Sequence, residues 1–211
     1  HPRERERSVS LGRSCLRGEL RIGPTVPDKG QVIGLTGPNA SGKGEVARFL
    51  TSFGFSVHSL SDVVRDEATR LGLEHTRDHL IATGVRLRRA GGPGALAKAI
   101  LSHLTTRAVV DSIRNPGEVA VLRGLPVFIL LGIDAPQPLR FERSLRRGRL
   151  GDGTTIDEFA EKERRENSTT EAGQQLQATF GLSDVEILND GTIEILRDRV
   201  REALVRLGHG L

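Results

Sequence analysis

Short apolar runs alternate along the chain with stretches of helical periodicity. Val32-Ile33-Gly34-Leu35 reads as a buried strand. Phe55-Ser56-Val57, Ala108-Val109-Val110-Asp111, Val127-Phe128-Ile129-Leu130-Leu131 and Val185-Glu186-Ile187-Leu188 read the same way. Between them lie helical spacings: Glu45 to Leu50, then Leu96, Ile100 and Leu104, then Ile156, Phe159 and Ala160, and last Ile193, Leu196, Val200, Leu204 and Leu207. Strands alternating with helices predict a parallel sheet covered on both faces, an α/β architecture of three layers. The pairs Glu158 to Lys162 and Glu161 to Arg165 sit four residues apart and support an exposed helix without any functional role.

Between the first strand and the first helix stands Gly37-Pro38-Asn39-Ala40-Ser41-Gly42-Lys43-Gly44, with the glycine and lysine spacing of a phosphate-binding loop. A loop that opens a helix turns its backbone N–H groups toward a bound anion, and the helix dipole adds to the attraction. Gly37 and Gly42 let the backbone curl without a clashing side chain, and Lys43, expected to be exposed, reaches the terminal phosphates. Glu45 follows the loop directly. Gly44 stands where a Ser or Thr normally supplies a hydroxyl to Mg²⁺. Two readings stay open: a loop that binds nucleotide without turnover, or one whose Mg²⁺ is held by phosphates and water.

Ligands of an open parallel sheet gather beyond the carboxyl ends of its strands. Asp111 ends the third run, where a carboxylate can hold a Mg²⁺-bound water or merely cap a turn. Asp62 follows the second run, where it can orient or deprotonate an acceptor hydroxyl or merely start a helix. The run from Arg140 to Arg149, followed by Gly151-Asp152-Gly153, reads as a hinged basic lid. Arginines at a transferring phosphoryl group contribute about 10³ to 10⁵ in rate. Arg143 and Arg147 share one helix face and are the candidates for that role.

Composition narrows the alternatives. A chain of 211 residues, 36% hydrophobic, suits one compact domain, taken as residues 31–208. Its net charge of +4 rests mostly on arginine, whose fork suits phosphate. With aromatics at 3% and no Tyr or Trp, no stacking platform for nucleic acid is expected. Cys15 is the single cysteine, which excludes an internal disulfide or cysteine metal site and suits a reducing cytoplasm. No apolar stretch reaches the length of a membrane span. Residues 1–30 read as a disordered arm or non-native leader. The lack of any methionine leads to the expectation of a partial or processed chain, with room for a further C-terminal domain.

From Val32 to about Leu207 the chain resembles the dephospho-CoA kinase-like branch of the P-loop nucleotide kinases, in particular an uncharacterised archaeal-type group. The resemblance is carried by Ile33-Gly34-Leu35-Thr36-Gly37, Leu60-Ser61-Asp62-Val63-Val64-Arg65-Asp66-Glu67-Ala68, Val110-Asp111-Ser112-Ile113-Arg114-Asn115-Pro116, Arg140-Phe141-Glu142-Arg143 and the stretch from Ser183 to Thr192. It implies a P-loop NTPase fold with a small basic lid, ATP as donor and Mg²⁺ as cofactor. It further implies Asp62 as the acceptor-side catalytic aspartate, Arg65 and Arg114 facing the acceptor phosphate, and Asn189 beside the adenine. Adenylate kinases, whose loops likewise carry Gly after the Lys, are similar at Gly44. Typical dephospho-CoA kinases have a Ser-Thr pair where this chain has Gly44-Glu45, so dephospho-CoA itself is not the expected substrate. Related domains are fused to deoxycytidylate deaminases; the zinc-deaminase pattern is absent here. The expected activity is transfer of the ATP γ-phosphoryl group to a small nucleotide-like or coenzyme-like acceptor. The rival is a non-catalytic nucleotide-binding regulatory module.

Overall fold

The computed structural model describes residues 30–148, 152–167 and 170–211. The expected N-terminal arm, apart from Gly30, and Arg149 and Gly151 of the expected lid lie outside the described residues.

Five strands, β1 (Gln31–Thr36), β2 (Ser56–Ser59), β3 (Arg107–Ile113), β4 (Phe128–Asp134) and β5 (Val185–Leu188), form one sheet in the order β2-β3-β1-β4-β5. Every pairing is parallel, as the alternation of strands with helices requires. Period-two side-chain alternation divides the core in two. Ile33, Leu35, Val109, Ile129, Leu131 and Ile133 pack against α1 (Lys43–Thr51) and, at the chain's end, the helix Ile193–Arg206. Val32, Ala108, Val110 and Leu130 pack on the opposite face against α2 (Leu60–Arg70) and two short helices, Ala95–Ile100 and Pro116–Leu122. Both faces are dry, so the strands read as nearly continuous apolar runs.

Four further helices complete the fold of the described residues. Taking chain order, α3 spans Arg77–Gly91, α4 Ala95–Ile100, α5 Pro116–Leu122, α6 Gln137–Arg147, α7 Ile156–Glu166, α8 Leu176–Phe180 and α9 Ile193–Arg206. Leu104, expected on the same helix as Leu96 and Ile100, instead follows a 3₁₀ turn over Leu101–His103. The expected hinged basic lid starts inside α6, whose Phe141 ring lies 5.8 Å from that of Phe159 in α7. Arg140 is buried there, donating to Ala135 O at 2.8 Å and bonding Glu163.

The register of β1 with β3 shifts by one residue between Gly34↔Val110 and Thr36↔Ile113, which makes a bulge at Asp111 and Ser112. Ser112 adopts φ +65°, the left-handed region. The extra residue reverses the alternation, so Ile113 packs with Val110 rather than Val109. Thr36 Oγ1 donates to Ile113 O at 2.9 Å and holds the bulge against β1. A bulge at a strand end re-aims the side chains that follow, and here it turns Asp111, Ser112 and Arg114 to the cleft described next.

Candidate functional site

The phosphate-type loop runs from the end of β1 into α1, with Gly42 as a left-handed N-cap (φ +111°) that offers no side-chain bond to the helix. The first N–H groups of α1 therefore face the cleft unsatisfied by a capping side chain, which is the arrangement that receives an anion. Two glycines are dictated by contact. At Gly37 (φ +135°) a Cβ would stand 2.0 Å from Ile133 O, and at Gly42 it would stand 2.2 Å from Asn189 Nδ2. Gly44 has open space around it and carries no hydroxyl.

Lys43 is buried rather than exposed, because the loop closes over its own lysine. Its ammonium donates to Gly37 O at 2.7 Å, Pro38 O at 2.8 Å and, longer, Ser41 Oγ at 3.4 Å. Burial lowers its pKa from 10.5 to about 8; Asp111 opposes the shift, while Arg114, Arg147 and Arg140 add to it. A cation held short of its usual basicity among other cations is stabilised by an arriving polyanion.

A cleft of about 680 Å³ opens over the loop, lined by Asn39 to Glu45, Asp111, Ser112, Arg143, Arg147 and Asn189 among others. Of its charged lining, Lys43 and six arginines stand against only Glu45 and Asp111. Asn189, buried, donates from Nδ2 to Ser41 O at 2.8 Å, and Arg143 Nη2 donates to Asn189 O at 3.2 Å. Arg143 Nη1 is buried and has no hydrogen-bond partner among the described residues. Arg147 Nη2 donates to Asn39 Oδ1 at 2.9 Å. Both lid candidates thus line the cleft from one face of α6.

A second cavity of about 410 Å³ adjoins the first and shares Asn39, Ser61, Arg65, Ser112, Arg114 and Arg147 with it. One wall is apolar: Leu60, Val64, Leu80, Ile81 and Leu96. The other carries Arg65, Arg77, Arg88 and Arg114. Arg114 Nη1 donates to Gln174 Oε1 at 2.9 Å. Its backbone is fixed by Glu118, whose Oε2 accepts from Arg114 N and Asn115 N while Oε1 accepts from Arg88. Asn115 caps α5 in a capping box with the same Glu118.

Among the catalytic and acceptor-side candidates, Asp62 lines neither cavity. It lies in the first turn of α2 with an exposed side chain, and its Oδ1 accepts from Arg65 Nη1 at 2.6 Å. Helical geometry explains this: Ser61 and Arg65 share the face that meets the cleft, and Asp62 is turned away by about 100° from Ser61. Arg77, Arg88 and Gln174 also line the second cavity, and no local pattern in the sequence marks them.

A divalent ion fits this site only as a passenger on phosphates. Among the described residues no three His, Cys, Asp or Glu converge to hold a bare ion. Asp111 is the carboxylate at the strand end, with Oδ1 accepting from Ser112 N at 2.6 Å. Mg²⁺ binds in this way, through one or two carboxylates with waters and phosphates.

In overall shape the chain is similar to shikimate kinase from Bacteroides thetaiotaomicron (TM-score 0.58, 14% identity, 83% of this chain and 98% of that one). It is also similar to a gluconokinase from Sinorhizobium meliloti 1021 (TM-score 0.52, 14% identity, 85% and 94%). The fold is the three-layer α/β P-loop NTPase fold, in the form seen in small-molecule kinases. By sequence the chain is 32% identical over 180 residues to a UPF0200 protein of Hyperthermus butylicus, covering 83% of this chain and 94% of the relative. It is 34% identical over 180 residues to one of Methanosarcina barkeri, covering 82% and 94%. The chain belongs to the UPF0200 family. No family model matches it.

Proposed function

We propose that this protein is a kinase that passes the γ-phosphoryl group of ATP to a small nucleotide-like or coenzyme-like acceptor, with Mg²⁺ required. The observation that carries the reading is the pair of adjoining cavities: a cationic cleft over the loop, and a half-apolar cavity with its own arginines, joined at Asn39, Ser112, Arg114 and Arg147. A module that only sensed nucleotide needs the first and has no use for the second. Kinship with dephospho-CoA kinase-like enzymes is part of the reading, as is a cytoplasmic setting.

In this account residues 37–45 cradle the donor phosphates, and Lys43 turns from the loop carbonyls to them. Arg143 and Arg147 stand where charge spreads over the transferring group, and Asn189 borders the donor's base. Arg65 and Arg114 hold the acceptor's anionic group. Asp111 would hold Mg²⁺ through its water; when bound, the ion neutralises charge on the phosphates. Phosphoryl transfer asks for positioning and electrostatics more than for a base, so Asp62 acts only through Arg65. The test is ADP release by the wild-type protein with ATP and Mg²⁺ across nucleoside monophosphates and dephospho-CoA. Release that depends on one acceptor supports the kinase; ATP binding without release for any acceptor returns the protein to the regulatory reading.

A further inference from the structure

Helix α3 presents a glycine to the second cavity at a position where the fold does not ask for one. Gly84 is buried in the interior of α3, and its φ is not positive. A Cβ there would meet nothing nearer than Arg88 Nη1 at 3.4 Å and Val64 Cγ2 at 3.7 Å, which are ordinary contact distances. Glycine inside a helix destabilises it relative to alanine, because it gives up more backbone freedom on folding. Neither backbone nor packing explains the residue. The cavity does, since Val64, Gly84 and Arg88 all line it, and a side chain at position 84 would grow into its space.

The surroundings of Gly84 define what that space admits. Leu80, Gly84 and Arg88 follow one another at four-residue steps along one face of α3, and Leu60 and Val64 do the same on α2. None of these five lines the first cleft. Arg88 is 5% exposed and gives Nε and Nη2 to Glu118 Oε1 at 3.0 and 2.7 Å. Its Nη1 takes no part in those bonds and lies on the side of Gly84. Bare backbone beside apolar side chains makes a slot, and a slot suits a planar ring. A ring with oxygen or nitrogen at its edge also accepts from the Arg88 N–H, which a hydrocarbon would leave unmet. Resting on the kinase reading above, we propose that Gly84 is a specificity-determining residue, keeping a slot open between α2 and α3 for a planar heterocycle, the base of a nucleoside monophosphate.

The experiment compares AMP, GMP, CMP and UMP by calorimetry with ribose 5-phosphate, which has phosphate and sugar but no ring. Wild-type protein is expected to bind at least one of the four about tenfold or more tighter than ribose 5-phosphate, the scale of burying one apolar side chain. Gly84→Leu should erase that margin while ATP affinity changes by no more than about twofold, as for an uncoupled site. Gly84→Ala should melt up to about 4 °C above wild type, because the helix gains and nothing collides, and should cut the margin by about threefold or more. A Gly84→Ala protein that melts below wild type gives the glycine a packing role and overturns the proposal. So does an undiminished margin in either variant, an equal loss for ATP, or a wild-type protein that binds ribose 5-phosphate as well as all four monophosphates. Those outcomes leave the kinase reading standing, which fails separately if no acceptor takes phosphate from ATP. Should Gly84→Leu fail to fold, as judged by its melting curve, Gly84→Ala decides alone.

Discussion

Replacing Glu118 by Gln removes one charge from a pair that the fold has sealed from water. Glu118 is fully buried and Arg88 is 5% exposed, joined by bonds of 2.7 and 3.0 Å. Burial pushes the Glu118 carboxyl above its ordinary range, with Arg88 and the N–H groups of Arg114 and Asn115 pulling the other way. The carboxylate is thus an expensive element in itself, yet its loss strands Arg88 as an uncompensated buried cation. Breaking such a pair from one side costs about 3–5 kcal/mol. A domain of this size loses about 2–4 °C of midpoint per kcal/mol, so Glu118→Gln should melt about 6–20 °C below wild type. The new amide also presents N–H groups where only donors wait, so the Arg114 backbone should shift and the second cavity with it. Thermal and urea unfolding followed by far-UV circular dichroism measure the effect. The double change Arg88→Met with Glu118→Leu should recover much of the loss, because no buried charge is left behind. A loss below about 1 kcal/mol for Glu118→Gln would refute the reasoning, since that is the scale of an exposed pair.

Lys43 gives a pH dependence of definite sign. Its folded pKa of about 8 lies below the ordinary 10.5, so between those values the unfolded chain binds more protons, and the ligand-free protein should gain stability as pH rises through that window. Nucleotide binding should do the opposite, weakening above pH 8 by up to about tenfold per unit as Lys43 loses its charge, with proton uptake visible by calorimetry in buffers of different ionisation enthalpy. At Gly37 the forced positive φ and the Ile133 carbonyl leave no room for Ala, so Gly37→Ala should cost at least about 1–3 kcal/mol and abolish ATP binding. Gly44→Ala, by contrast, meets nothing within 4 Å and should be neutral or stabilising by up to about 1 kcal/mol in a melt. Asp62→Ala should lower transfer by less than tenfold, since it breaks only an exposed pair with Arg65 of about 0–1 kcal/mol; a drop of about 10² or more would put Asp62 back at the acceptor.

Local signals were readable where one segment carries them alone. The apolar runs located the five strands of the described residues to within a few residues, and the glycine and lysine spacing located the loop, because both depend on neighbours in sequence. The second cavity was only partly legible. Its walls come from α2, α3, the bulged end of β3, the end of α6 and Gln174, and no local pattern announces their meeting. Helix α3 has Thr83, Gly84 and Arg88 at its buried positions, so its core face does not look like one. The bulge at Asp111 and Ser112 arises from register against β1, a relation between strands that neither reveals by itself. Arg140 shows the converse. It belongs to a basic run that reads as a hinged lid, yet it is buried and donates to Ala135 O and Asn39 O.

The central claim is that a phosphoryl group passes between the two cavities. It is tested most directly by incubating the wild-type protein and Lys43→Ala with γ-labelled ATP, Mg²⁺ and each nucleoside monophosphate in turn, then separating the products. The account predicts label on at least one acceptor with wild-type protein and none with Lys43→Ala, whose melting curve stays two-state. Label on no acceptor from a wild-type protein that binds ATP, or equal transfer by both proteins, would contradict it.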